Sequence, residues 1–152
     1  MTTTIQIITY ILLIPAGFFF MEILSYFMHK YLQHGILWFI HQDHHKYTKG
    51  KFQKNDTFTL FFSTLTILLF VFGFLNGFDY RFWFGLGIFI YGMGFFLYHD
   101  MVVHRRIPIK YKPKSKYLKR VIHAHRMHHQ KSTATDGVSF GFFIASKKYD
   151  GD

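Results

Sequence analysis

The sequence predicts an all-α integral membrane protein, a helical bundle of three or four spans carrying a histidine-rich cap. Three observations lead there. The chain of 152 residues is 50% hydrophobic and 22% aromatic, which is high for a soluble domain. It contains three long apolar runs, and all eleven histidines fall in two segments outside the centres of those runs. Residues 1–152 read as one membrane-embedded domain.

The apolar runs cover residues 5–27, 58–75 and 82–98, or 23, 18 and 17 residues. At about 1.5 Å of rise per residue, each approaches the ~30 Å hydrocarbon thickness. Asn76-Gly77-Phe78-Asp79-Tyr80-Arg81 separates the second from the third and reads as a tight helical hairpin. The first run lacks a basic leader and a small-residue cleavage site, so it is expected to be an uncleaved span.

Charge supplies the expected orientation. Of 18 Lys and Arg, 17 lie in residues 28–56 or after Tyr98, and only Arg81 lies between the second and third runs. The positive-inside rule then places the N-terminus outside and both histidine segments and the C-terminus in the cytoplasm. The net charge of +10 comes without a helix-turn-helix or single-strand-binding pattern, and the basic residues border apolar runs. Membrane lipids with anionic headgroups are therefore the expected partner, not nucleic acid. The chain has no cysteine, which excludes disulfides, thiolate zinc sites and Cys-ligated iron–sulfur clusters.

Any metal must then be held by His or carboxylate. The first segment contains His29, His34, His41, His44 and His45, and the second His99, His104, His123, His125, His128 and His129. Each has an H-x4-H pair at the end of a span, followed by an H-x2-HH triplet. A triplet at i, i+3 and i+4 puts three imidazoles on one helical face, within about 60° of the first. Residues five apart on an α-helix diverge by about 140°. One member of each pair is thus expected on the last helical turn and the other just past it, with Gly35 and Pro108 available to end the helices. Ten histidines in four motifs exceed one tetrahedral zinc site, and two metals with about five ligands each is the simplest partition. Imidazole suits iron, zinc, copper and nickel alike. His123 lies outside the triplet, about 160° around the helix from His125, and is expected to bind no metal.

Four carboxylates are candidates to support the imidazoles. Asp43, Asp100 and Asp136 adjoin the motifs and are placed to orient rings through the second nitrogen, surface solvation being the alternative. Glu22, the only glutamate, sits within an apolar run. It is expected either to meet a histidine of another segment or to reach the interface. Soluble di-iron bundles rely on several glutamates, which one residue does not supply. Residues 138–145 are apolar but too short to span, and they suit an interfacial segment closing over the metal site.

These motifs resemble the fatty acid hydroxylase superfamily and, within it, the bacterial β-carotene 3-hydroxylases. The resemblance covers nearly the whole chain. His29-Lys-Tyr-Leu-Gln-His34-Gly35 with His41-Gln-Asp-His44-His45, preceded by Met21-Glu22, matches the first pair and triplet. His99-Asp100-Met-Val-Val-His104-Arg105-Arg106-Ile-Pro108 and Ala124-His125-Arg126-Met127-His128-His129 match the second set, and Val138-Ser139-Phe140-Gly141-Phe142 the C-terminal signature. The histidines alone mark the superfamily, while the H-D-x-x-V-H-x-R-x-P string and the V-S-F-G-F tail narrow it.

The resemblance implies a non-haem di-iron monooxygenase in the bacterial cytoplasmic membrane. Its two iron ions and O2 would hydroxylate C3 of each β-ionone ring of a carotenoid taken from the bilayer, giving β-cryptoxanthin and then zeaxanthin. A ferredoxin-type donor would supply electrons. An unactivated ring C–H bond requires redox iron, which fits ligation by the ten motif histidines. The competing readings are a carotenoid ketolase, a fatty acid or sterol hydroxylase, a bis-histidine haem protein, and a metal-binding membrane transporter. Haem would need histidines paired within opposing spans, and a transporter would need polar ligands at mid-membrane.

Overall fold

The computed structural model describes residues 3–46, 52–131 and 133–150. The described residues are helical or irregular, without strands. Five α-helices follow one another: α1 (Thr3–Phe27), α2 (Trp38–His45), α3 (Asp56–Leu75), α4 (Tyr80–Phe95) and α5 (Lys116–His129). A π-helical segment, Met28–Ile36, continues α1, and another, Phe96–Val103, continues α4. Among the described residues, three helices are long and apolar enough to cross a membrane: Thr3–Ile36, Asp56–Leu75 and Tyr80–Val103. They coincide with the three expected runs and extend the first and third, because the π turns prolong each helix past its apolar stretch. The chain is an integral membrane protein.

The residues group into two compact units. Met1–Met21 and Thr57–Gly94 form the first. Its helices show apolar side chains outward, with Ile11, Leu12, Leu60 and Phe74 all about 60% exposed or more. In a bilayer this is the ordinary lipid-facing surface. Helices in lipid gain little from hiding apolar groups and pack by close approach. Here glycines permit that approach: a Cβ on Gly17 would run into the carbonyl of Phe84, and one on Gly87 into the carbonyl of Ile14. Phe18 meets Tyr91 edge-on beside this contact, their ring centroids 5.5 Å apart. The expected hairpin between α3 and α4 turns through Gly77 (φ +74°) and Phe78 (φ +59°). Asp79 then accepts from the backbone N–H of Arg81 at 3.0 Å and grips its guanidinium.

Glu22–Asp56 and Phe95–Asp152 form the second unit, which holds every histidine. Helix α5 begins at Ser115, whose Oγ accepts from the N–H of Leu118 at 3.1 Å, an N-cap. Val121 and Ile122 on its inner face pack with Tyr98 into a buried cluster edged by Val102, Leu118 and Phe143. The Tyr98 hydroxyl donates to the carbonyl of Val121 at 3.0 Å, fixing α5 to the second π segment. The Arg120 guanidinium forks onto Asp150 and ties down the C-terminal end.

Candidate metal centre

The first H-x4-H pair stays within its π segment, whereas the second straddles a helix end as expected, with His99 inside the second π segment and His104 just past it at the C-cap. In the first π segment the N–H of Leu37 reaches the carbonyl of Leu32 at 2.8 Å, and at the end of the second the N–H of His104 reaches that of His99 at 2.9 Å. Both are i→i+5 bonds, so one turn consumes five residues rather than about four. His29 and His34, and likewise His99 and His104, therefore stand one above the other. The 140° divergence expected of an α-helix disappears. Gly35 does end the first such segment, with φ −119° and ψ −121°, outside the helical region.

The ten motif histidines converge as two groups of five. His29, His34, His41, His45 and His128 form the first, and His44, His99, His104, His125 and His129 the second, with the ligand atoms of each group lying within 4.8 Å of one another. Each group draws four histidines from one sequence segment and one from the other. The exchanged residue is the middle member of each triplet, His44 or His128. An α-helix explains the split: positions i and i+4 lie about 40° apart, whereas i+3 lies about 60° to the other side. His41 and His45 thus serve one group while His44 turns to its neighbour, and α5 repeats the pattern.

Ring tautomers follow from the hydrogen bonds. His29, His34, His45 and His128 each place Nδ1 on a backbone carbonyl, those of Phe140, Ala134, Lys131 and Val138, at 2.9, 3.0, 3.0 and 2.7 Å. A carbonyl only accepts, so Nδ1 carries the proton and Nε2 a lone pair. His41 similarly faces Asn55 Oδ1 at 2.7 Å, His44 faces Gln53 Oε1 at 3.0 Å, and His99 faces Asp100 Oδ1 at 2.7 Å. Yet Nε2 of His34 lies 3.1 Å from that of His128, His45 from His41 by the same distance, and His44 from His99 by the same again. Two lone pairs at that separation repel unless a cation lies between them. Nε2 of His29 is buried without a protein partner, a further donor atom aimed into the first group.

Electrostatics agree. Burial first, and neighbouring positive charges second, lower His41 to about 3, His45 and His104 to about 4 and His128 to about 2. Near pH 7 these rings are neutral and their lone pairs are available, as a metal ligand requires. The donor set and its orientation fit a metal ion in each group.

The sequence pattern of the fatty acid hydroxylase family matches residues 14–147. The chain belongs to the fatty acid hydroxylase family. It is 42% identical over 125 residues to a β-carotene hydroxylase of Pantoea ananas, covering 82% of this chain and 71% of that protein. A β-carotene hydroxylase of a Paracoccus species is 36% identical over 138 residues, covering 90% and 85%. The chloroplastic β-carotene hydroxylase 2 of Capsicum annuum is also 36% identical, over 86% of this chain and 42% of its own length. No solved structure matches the chain.

In this membrane hydroxylase the other expected residues fall into distinct places. Asp100 is buried and holds the Nδ1 proton of His99, while Arg106 approaches its other oxygen at 3.5 Å and forks onto Asp56. Asp43 accepts from the backbone N–H of Lys54 at 2.6 Å, steadying the segment that presents Gln53 and Asn55, and touches no imidazole hydrogen. Asp136 is exposed. Glu22 is only 3% exposed, buried and not at the interface, and its Oε1 accepts from the N–H groups of Phe143 and Ile144 at 2.9 and 2.8 Å. His123 is exposed, outside both groups, with Nδ1 3.1 Å from the carbonyl of Tyr149. Gln53 and Asn55 are partners that the sequence did not single out, because neutral amides near the motifs carry no metal-site signature; Arg106 stands out there only as part of the H-D-x-x-V-H-x-R-x-P string, without its role beside Asp100 and Asp56.

Proposed function

We propose that this chain is a non-haem di-iron monooxygenase that hydroxylates C3 of the β-ionone rings of β-carotene, giving β-cryptoxanthin and then zeaxanthin. The observation that carries the metal part is the set of Nε2 pairs at 3.1 Å in which both nitrogens bear lone pairs. The carotenoid part is supported by the β-carotene hydroxylases at 36–42% identity over most of the chain. His29, His34, His41, His45 and His128 would hold one iron, and His44, His99, His104, His125 and His129 the other. Iron held there supplies the O2-dependent redox chemistry that cleavage of an unactivated C–H bond demands. The balance is one O2, two electrons and two protons per ring, one oxygen entering the new hydroxyl and the other leaving as water. A ferredoxin-type protein is the proposed electron donor.

The protein's own part is orientation and exclusion of water. The Nδ1 bonds hold the rings in one tautomer before metal arrives, so little rearrangement opposes binding. Aromatic rings dry the surroundings: Phe142 stacks on His29 with centroids 5.2 Å apart, and Phe95 on His99 at 4.2 Å. A bilayer-dissolved polyene can present one terminal ring at a time. Each ring is then oxidised in a separate visit, and the singly hydroxylated product must leave, reverse and return.

The test is a time course in cells that make β-carotene, with products separated by chromatography and identified by mass and absorption. β-Cryptoxanthin is expected before zeaxanthin. Ketone products would reassign the chain to ketolases, and unchanged β-carotene beside hydroxylated lipids would reassign the substrate class.

A further inference from the structure

The two histidine groups differ in what holds their Nδ1 protons. In the first, four of five go to main-chain carbonyls of one segment, those of Lys131, Ala134, Val138 and Phe140. In the second, His44 and His99 rely on the side chains of Gln53 and Asp100. The geometry of the first group is therefore the geometry of residues 131–140.

That segment has no helix or strand of its own among the described residues between Gln130 and Lys147. Main chain without a ladder wanders unless something outside it satisfies its polar groups. Just beyond Phe140, Glu22 does so: one carboxylate oxygen accepts from two consecutive backbone N–H groups, Phe143 and Ile144. A charged acceptor makes stronger bonds than a neutral one, more so when buried. The chain accommodates this contact at Gly141, where a Cβ would stand 2.8 Å from the Ile144 carbonyl and 3.1 Å from Glu22 Oε1. The carboxylate and the glycine thus form one fitted contact. Between it and α5, the segment 131–140 is held at both ends and its carbonyls are presented to the imidazoles.

We propose that Glu22 is a positioning residue for the first metal site. It clamps the C-terminal segment so that the carbonyls of 131–140 orient His29, His34, His45 and His128, and the second site does not depend on it. This rests on the two-metal reading above.

The experiment compares purified wild type, E22A, E22Q and Gly141→Ala. Iron per chain is measured after loading, and hydrogen–deuterium exchange of peptides covering 131–146 is followed in the metal-free proteins. Wild type is expected to hold two irons and protect the segment, and E22Q, which keeps an oxygen acceptor but not the charge, to hold two irons and protect the segment less than wild type but far more than E22A. E22A is expected to hold one iron and to exchange the segment at least tenfold faster, with peptides covering residues 96–104 unchanged. Gly141→Ala, which leaves Glu22 in place but wedges the contact, is expected to match E22A. Loss of both irons together in E22A and Gly141→Ala would overturn the proposal, as would two irons with unchanged exchange. If E22A does not fold, the contrast between E22Q and Gly141→Ala decides in the same way. If wild type itself binds fewer than two irons, the two-metal reading fails, and the exchange contrast still decides whether Glu22 clamps the segment.

Discussion

His34 and His128 are 94 residues apart in sequence, yet their Nε2 atoms stand 3.1 Å apart, each ring donating its Nδ1–H to a backbone carbonyl. Neither nitrogen can donate to the other, so the contact is stable only with a cation to share. Metal and fold are therefore coupled, and chelation should destabilise the protein. Ligand at 100 times its dissociation constant contributes about 2.7 kcal/mol per site. Two sites then contribute about 5 kcal/mol, or roughly 10–20 °C in melting temperature at ~2–4 °C per kcal/mol. Thermal melts in detergent before and after iron removal are the check, and identical midpoints would count against metal at these positions.

The exchange of His44 and His128 between groups makes a prediction that sequence segments alone would reverse. His128→Ala is expected to weaken the site built mainly from the first segment, and His44→Ala the site built mainly from the second. Each variant should retain about one iron and lose at least ~100-fold in turnover, since a missing ligand leaves an open coordination position. His123→Ala, outside both groups, should keep two irons and most activity. Combining His128→Ala with His34→Ala tests the grouping: the pair should cost no more iron than either alone. Zero iron in that double variant would show that the two residues serve different metals.

Asp100 should matter through His99. Its carboxylate accepts the Nδ1–H of His99 at 2.7 Å and is itself steadied by Arg106, which also forks onto Asp56. Carboxylates behind metal-bound imidazoles typically contribute 10–100-fold to metal affinity or activity. Asp100→Asn keeps an acceptor and should lose about tenfold, whereas Asp100→Ala should approach 100-fold. Iron titration and product formation report on the two together, and equal activity in Asp100→Ala and wild type would exclude the role.

The spans and the histidines that converge were legible because both are local properties, apolar length for one and residue type for the other. What stayed hidden depends on hydrogen-bond register and tertiary neighbours. Leu32 to Leu37 bonds i→i+5 instead of i→i+4, and nothing in Met28–Ile36 announces the choice. Without it, His29 and His34 read as diverging. The triplets read as single metal faces because i+3 and i+4 are both neighbours of i, although the 100° between them is enough to serve different sites. Glu22 stood out as a carboxylate within an apolar run, expected at a histidine or at the interface, but it is buried and its Oε1 takes backbone N–H groups about 120 residues away. Backbone donors have no residue type to recognise.

Sidedness is the remaining prediction. If each of the three candidate spans crosses the bilayer once, the N-terminus and the C-terminus would lie on opposite sides, with the loop between α3 and α4 on the side of the N-terminus. That loop offers one basic residue, Arg81, bound to Asp79, against 17 in the two histidine segments. Basic residues close to span ends resist translocation, so the histidine segments and the C-terminus should be cytoplasmic and the N-terminus outside. The consequence is chemical as well as topological, because a soluble electron donor reaches the metal sites only from the side they face. Reporter fusions after Gln53, Gly77 and Ala145 distinguish the cases, an enzyme active only in the cytoplasm being expected to work in the first and third. A Gly77 fusion reporting the same side as the other two would refute three crossings. Adding four lysines around Gly77 should weaken the orientation bias, seen as mixed reporter signals and a matching loss of hydroxylation.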